Sequence, residues 1–374
     1  MAQYRNEDPK RVTIVIDAHE DIAWNILTFG RDYTRSVGET RAIEAGSHTI
    51  LRNGNTLLGW SEWVLGRVAV IFASLHASPK RWQTDAGDIL VYSDDAEANR
   101  LYWQQMDIYR RLVDEQDEKF GLIENLADLE ETLATWDREP EQTPRLGLVL
   151  SMEGAEGIRD PGELEEWFQR GLRIIAPCWA GTRFAGGTHE PGPLTDEGRD
   201  LLAAMAGLGL VLDLSHMAEE ATLEALDRYE GVLIATHSNA RALLPGSETP
   251  DRHLSDLIIR RIAERDGVIG VVPYNRFLSS DWRDGDPREL VTIDRVIDQI
   301  DHMCQVVGSA AHVAIGSDFD GGFGLEQAPA GLDSVADLQL IGKTLASRGY
   351  DQEAVELILG GNWLRILRHS LPET

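Results

Sequence analysis

Cysteine is nearly missing from this chain of 374 residues: Cys178 and Cys304 are the only two. That argues against a disulfide framework or a thiolate zinc site and suits a reducing compartment. Each cysteine reads as a small buried apolar side chain rather than a nucleophile. Lysine is almost as scarce, confined to Lys10, Lys80, Lys119 and Lys343. None of these ends an apolar run, so a carbamylated lysine bridging two metals is not expected. Positive charge is short overall, with 35 Lys and Arg against 63 Asp and Glu and a formal net charge of −28. Nucleic acid and anionic membrane surfaces both require a basic footprint, so neither is an expected partner. A small-molecule substrate fits better, and the acidity itself needs no more than a solvated surface.

Long hydrophobic runs are also lacking. No stretch approaches the roughly 18 apolar residues of a membrane span. Residues 1–10 are polar and lack the roughly 7–15-residue apolar core of a secretory signal. Residues 367–374 offer no tail for a lipid anchor. A cytoplasmic enzyme is the expectation. Gly186-Gly187 and Gly321-Gly322 mark tight loops, yet neither opens a P-loop or dinucleotide pattern. With no internal repeat and no linker-like segment, residues 1–374 read as one domain. The 43% hydrophobic content can fill a single large core, and a length of roughly 250 to 400 is common for an α/β barrel carrying insertions.

What is present is a rhythm of short apolar runs of strand type, at residues 12–17, 68–74, 146–151, 172–177, 208–214, 232–236, 267–273 and 312–317. Helical periodicity fills much of the space between, over 96–116, 161–170, 195–206, 219–228, 255–265 and 293–307. Asp160, Thr195 and Ser255 are placed to cap three of these helices, and Pro161 sits in a first turn, where its missing N–H costs nothing. Eight strand–helix units predict a parallel sheet closed as a (β/α)8 TIM barrel, an α/β fold. Residues 22–67 and 77–145 are then insertions after strands one and two.

The polar residues that follow these runs carry the chemistry. The first run ends in Asp17-Ala18-His19-Glu20-Asp21, and side chains at i and i+2 of a strand share a face, so His19 and Asp21 can converge on one ion. Glu153 follows the third run, His216 the fifth, His237 the sixth and Asp318 the eighth. All stand at carboxyl ends of predicted strands, the face on which barrel enzymes place their active sites. Three imidazoles with several carboxylates suit zinc, manganese or iron better than calcium. The number of donors suggests two divalent ions, with Glu153 the natural bridge between them.

As a set, these residues resemble the membrane (renal) dipeptidase family of the amidohydrolase superfamily. The likeness runs from Asp17-Ala18-His19-Glu20-Asp21-Ile22-Ala23-Trp24 through Glu153-Gly154 and Asp213-Leu214-Ser215-His216 to Gly361-Asn362-Trp363-Leu364-Arg365. It implies that His19 and Asp21 bind one metal, zinc being named first, that His216 and His237 bind the other, and that Glu153 bridges them. It implies that Asp318, in Ser317-Asp318-Phe319-Asp320-Gly321, is the acid/base. It implies that Arg252 and Tyr274 form the pocket for the substrate's carboxylate, a role a guanidinium fork suits. The implied reaction is hydrolysis of a dipeptide or related small amide by a hydroxide bridging the metals, and the likeness is compatible with a homodimer.

One position departs from that pattern. Where the family's dipeptidases carry a histidine that contacts the scissile carbonyl oxygen, this chain has Trp179. An indole N–H donates one hydrogen bond but cannot become cationic, so oxyanion stabilisation should be weaker or come from elsewhere, with Arg183 a candidate. Metal binding should survive the change. The alternatives are hydrolysis of an N-acyl amino acid or lactone, a non-hydrolytic rearrangement, or a metal-bound binding protein without turnover. His48, His76, His189, His302, His312 and His369 lack a ligand context and read as structural. His253, beside Arg252, is left open.

Overall fold

The computed structural model describes residues 13–83, 88–137 and 143–373. Eight parallel strands form the expected barrel: β1 Val15–Glu20, β2 Val68–His76, β3 Leu146–Glu153, β4 Leu172–Ala176, β5 Val211–Asp213, β6 Leu233–Ile234, β7 Ile269–Val271 and β8 Val313–Ile315. They follow one another in the order β7-β8-β1-β2-β3-β4-β5-β6. A parallel bridge between Ala235 and Ile269 joins the two ends. All eight strands are buried along their described length, as expected where a parallel sheet is covered by helices. A ninth short strand, Phe120–Leu122, runs parallel to β3 along Leu146–Leu148, below the point at which β4 joins at Leu150.

No predicted run matches its strand at both ends, and two of the differences have visible causes. β1 begins later than residue 12, which lies outside the described residues, and runs on through Asp17 to Glu20. Its polar end stays extended because it has partners inside: Asp17 Oδ1 accepts the Ser317 N–H at 2.6 Å, and Glu20 Oε1 accepts the indole N–H of Trp63 at 3.1 Å. The fifth run is shorter than 208–214. Leu208 closes the helix Asp196–Leu208, and Gly209, at φ 69, is its left-handed C-cap, so only Val211–Asp213 is strand.

The helix signals act as their chemistry predicts. Thr195 accepts from Gly198 N–H, Ser255 from Ile258 N–H and Asp160 from Gly162 N–H. The insertion after β1 contains four short helices, Ile22–Phe29, Val37–Glu44, His48–Asn53 and Trp60–Leu65. In the insertion after β2, the helix Asp95–Glu115 lies against the barrel rim. Tyr102 Oη donates to the Glu153 carbonyl at 2.9 Å, and Tyr109 Oη donates to the Ser74 carbonyl at 2.7 Å. Trp363 is buried and donates its indole N–H to the carbonyl of Ile315, the last residue of β8, at 2.8 Å. Beside β6 the backbones come very close. A Cβ on Gly270 or Gly316 would meet the Thr236 carbonyl oxygen at 1.9 or 1.8 Å, a distance no side chain tolerates. No helix among the described residues is long and apolar enough to cross a membrane.

Candidate active site

The carboxyl ends of the strands bring the five candidate ligands and Asp318 together. His19 lies inside β1 and Asp21 just beyond it, Glu153 is the last residue of β3, and His216, His237 and Asp318 follow β5, β6 and β8. All five candidate ligands are buried. His216 and Asp318 hold left-handed backbone conformations, φ 66 and 56. Such conformations are uncommon for non-glycine residues and concentrate at functional sites.

On one side of the site, counting protons fixes what the imidazoles present. Thr236 Oγ1 donates its only proton to Asp213 Oδ2, so its 2.7 Å contact with His237 Nδ1 is an N–H donated by the ring. Thr188 Oγ1 lies 2.9 Å from His216 Nδ1, where it can accept the ring N–H. With both rings protonated at Nδ1, both Nε2 atoms carry lone pairs. They face each other at 3.1 Å and lie 2.9 and 3.2 Å from Glu153 Oε1. Three acceptors converge with no hydrogen between them, an arrangement that repels unless a cation fills it. Burial, with the charge of Arg252 next, lowers the pKa of His216 to about 3, and burial depresses that of His237 well below the usual range. Neutral imidazoles held through Nδ1 are the form in which histidine binds a metal.

Glu153 Oε2 faces the other side. It lies 3.9 Å from His19 Nε2, which is 3.7 Å from Asp21 Oδ2 and 3.9 Å from Asp318 Oδ1. Neither ring nitrogen of His19 has a hydrogen-bond partner among the described residues, and Asp21 Oδ1 has none either. Burial opposes charge on His19, but the carboxylates of Glu153, Asp21 and Asp318 outweigh it and raise its pKa to about 10. Burial raises that of Asp318 well above the carboxylate range. Gly321 makes the crowding possible, since a Cβ there would meet Asp318 Oδ1 at 2.0 Å and Asp21 Oδ2 at 2.9 Å. Orphaned buried nitrogens and carboxylates fit divalent-metal binding, with His19, Glu153 and His237, and His19, Asp21 and Asp318, close enough to share an ion.

Two histidines read as structural belong here, which corrects the sequence reading. His76 ends β2, and the β2–β3 register pairs it with Glu153. Its Nδ1 lies 2.9 Å from Glu153 Oε2, although without hydrogen-bond geometry. His189, in the loop after β4, lines the cavity. The apolar run leading to His76 could have flagged it as a strand-end residue, but nothing local marks His189. Arg183 is corrected in the opposite direction. Its guanidinium is taken up by Glu156 at 2.9 Å, by Glu197 at 3.1 Å and by the Ile158 carbonyl, and it does not line the cavity.

The cavity above the ligands has a volume of about 620 Å³, ample for a dipeptide-sized molecule. Arg252, Tyr274 and Trp179 line it together with Glu153, His216 and Asp318. Arg252 is buried and is fixed by a 2.7 Å bond from Nη1 to the His237 carbonyl. Tyr274 stacks on Phe323 with ring centroids 4.5 Å apart. Trp179 stands edge-on to His76 at 5.2 Å and lies 6.2 Å from the His216 ring. His253, left open by the sequence, lines the cavity too, edge-on to Phe277 at 4.9 Å.

Known proteins match this chain over most of its length. The family model for membrane dipeptidase (peptidase family M19) covers residues 6–371. An uncharacterized protein from the pqqA 5′ region of Klebsiella pneumoniae is 35% identical over 279 residues, 72% of this chain and 96% of its own length. The dipeptidase tcpJ of Claviceps purpurea is 26% identical over 314 residues, 82% of this chain and 67% of its own. Two solved structures share the fold. Dipeptidase AC, a metallopeptidase, superposes with a TM-score of 0.77 at 23% identity, over 96% of this chain and 99% of that one. A metallopeptidase from Rhodobacter sphaeroides, solved with a phosphinate mimic of the dipeptide L-Ala-D-Ala, gives 0.77 at 24% identity with the same coverage.

Proposed function

The chain belongs to the membrane dipeptidase family, and from that membership we propose that it hydrolyses a dipeptide or related small amide with two divalent ions, zinc being the first choice. His19 and Asp21 would hold one ion and His216 and His237 the other, with Glu153 shared. The observation that carries this reading is the two-sided placement of Glu153, with Oε1 2.9 and 3.2 Å from Nε2 of His216 and His237 and Oε2 on the side of His76 and His19. Bound divalent ions supply Lewis acidity to a carbonyl and lower the pKa of water.

The chain's own residues do the rest. Arg252 holds the substrate's free carboxylate through the arms of its guanidinium not bound to His237, and Tyr274 forms the adjoining wall. Asp318 takes the proton of the water that adds to the amide carbonyl and delivers it to the amine nitrogen as the C–N bond breaks. Its left-handed backbone and the absent side chain at Gly321 hold that carboxyl against Asp21. Burial of the ligands excludes bulk water and strengthens each of these interactions.

Trp179 supports one second reading, a different reaction on the same scaffold such as hydrolysis of an N-acyl amino acid or lactone. Elemental analysis followed by a substrate panel separates the two. The panel should include dipeptides with a D-residue in second place, because the Rhodobacter relative was solved with such a mimic. Turnover of dipeptides by protein carrying close to two ions per chain is the expected result. Metal-loaded protein that cleaves N-acyl amino acids and no dipeptide would move the assignment to the second reading. Inertness on every amide and ester would point to a binding protein.

A further inference from the structure

Three consecutive residues of the loop after β4 make three different contacts. Thr188 meets His216 Nδ1 at 2.9 Å. Glu190 accepts the indole N–H of Trp82 at 2.7 Å and two N–H groups of Arg81 at 2.6 and 2.9 Å. Between them, His189 lines the cavity. Trp82 stacks on its ring at 4.6 Å with 26° between planes, and Trp179 meets it edge-on at 5.5 Å and 68°. Its backbone N–H is fixed on the Ala180 carbonyl at 3.0 Å. The ring is thus held by aromatic contacts and by both chain neighbours, yet among the described residues neither ring nitrogen has a hydrogen-bond partner.

An imidazole packed so firmly at its ring and left unpaired at its nitrogens is set to meet what enters the cavity. Arg252 is a buried cation of the same cavity. An anion drawn to Arg252 enters the cavity that His189 lines, and burial, opposed by Glu190 and aided by the charge of Arg252, holds the pKa of His189 below the usual value. A neutral ring offers that anion an N–H without placing a second full positive charge near Arg252.

We propose that His189 is a substrate-binding residue, donating its ring N–H to the same carboxylate that Arg252 holds. The proposal rests on the reading of Arg252 above and adds to it a second donor and the loop that places it. It makes the Thr188-His189-Glu190 segment a link between a candidate ligand and the carboxylate pocket.

Equilibrium binding tests it without relying on turnover. The probes are a dipeptide phosphinate and the same compound amidated at its carboxyl end, titrated calorimetrically into the metal-loaded protein. His189→Phe keeps a ring against Trp82 and removes the N–H. It should weaken binding of the free acid about 10- to 100-fold, the range for a hydrogen bond to a charged group, and that of the amide less than about twofold. His189→Gln, which keeps an N–H, should recover most of the loss. Equal weakening of acid and amide, or no weakening, overturns the proposal, as does a wild type that binds acid and amide alike or binds neither. A fall in kcat with unchanged free-acid affinity would place His189 at the reacting carbonyl and overturn it too. Wild type that binds the phosphinate yet cleaves no dipeptide would defeat the hydrolase reading and leave this one standing.

Discussion

Removing one hydroxyl, by Thr236→Val, should loosen the metal centre without touching any of the five candidate ligands. Thr236 Oγ1 lies between Asp213 Oδ2, to which it donates, and His237 Nδ1, from which it accepts at 2.7 Å. Valine has the same shape but leaves two buried polar groups without a partner at that position. Asp213 keeps its bonds from Ser215 N–H and Thr236 N–H through Oδ1, each 2.9 Å, so the carboxylate stays anchored. The His237 Nδ1–H has no such alternative. An unsatisfied buried group costs about 1–3 kcal/mol, so the folded protein should lose roughly 2–6 kcal/mol for the pair. More informative is the tautomer. Once Thr236 no longer demands a proton at Nδ1, His237 can carry it at Nε2, the atom that faces His216 and Glu153. That form cannot bind a cation there. Loss of such a supporting partner lowers metal affinity about 10- to 100-fold, or about 1.4–2.7 kcal/mol.

The assay is competition against a chelator of known affinity, followed by elemental analysis, with circular dichroism and a thermal melt on the same samples. Folded Thr236→Val should lose one ion at a chelator concentration that leaves wild type fully loaded. If it keeps both ions, with affinities within about twofold of wild type, the proton accounting for His237 is wrong and the lone pair at Nε2 has another origin.

Three further outcomes follow from the same geometry. Glu153→Ala should reduce occupancy at both metal positions and abolish turnover, because its two oxygens serve opposite sides of the centre; full occupancy by elemental analysis would remove it from the shared role. Arg252→Lys should raise KM at least about 10-fold for substrates with a free carboxyl terminus and far less for the same substrates amidated, since lysine cannot reproduce a two-armed contact; equal effects on the two series would refute the carboxylate assignment. Trp179→His should raise kcat on at least one L,L-dipeptide, by less than the roughly 10²–10³-fold worth of a full oxyanion donor because the smaller ring leaves space between His76 and His189. Efficient wild-type turnover combined with a neutral or harmful Trp179→His would mean that another group already stabilises the oxyanion.

The barrel was legible because buried parallel strands need continuous apolar runs, and eight such runs recur among helical stretches. The candidate ligands were legible for the same reason: an isolated acid or imidazole after an apolar run is conspicuous. Strand limits were less readable. Asp17 and Glu20 look like the end of a strand, yet both stay inside it because Ser317 and Trp63, distant in sequence, satisfy them. Leu208 is apolar whether it closes a helix or opens a strand, so its run overstates β5. The groups that support the site were the least visible. Thr188 and His216, or His76 and Glu153, meet through a loop path and a strand register, neither of which leaves a local signature.

The two sides of the site are held by different means, and this bears on how the protein divides stability from chemistry. His216 and His237 follow neighbouring barrel strands and are fixed at Nδ1 by Thr188 and by the Thr236–Asp213 pair. Asp318 and Asp21, by contrast, lie where the β8 loop meets the insertion after β1. Two residues beyond Asp318 stands Asp320, itself left-handed at φ 63 and fully buried. Its carboxylate accepts from Tyr33 Oη at 2.8 Å, Thr56 Oγ1 at 2.5 Å and Leu57 N–H at 2.8 Å, and pairs with Arg31 at 2.9 Å. Its carbonyl accepts from Asn25 at 2.9 Å and Asn53 at 3.1 Å, and Asn25 also holds the Asp21 carbonyl at 2.9 Å. A buried carboxylate with this many donors is expensive to disturb, since each broken bond strands a desolvated partner. The insertion therefore does more than decorate the barrel: it fixes the backbone of Asp320 and of Asp21, beside Gly321, where Asp318 and Asp21 approach. Asp318 itself is bonded to β1 through its backbone N–H, which donates to the His19 carbonyl at 3.1 Å, so in the proposed mechanism the carboxylate that moves a proton stands where a barrel strand and the insertion both hold the backbone, while the imidazole side of the centre is positioned by the strands and the loop after β4.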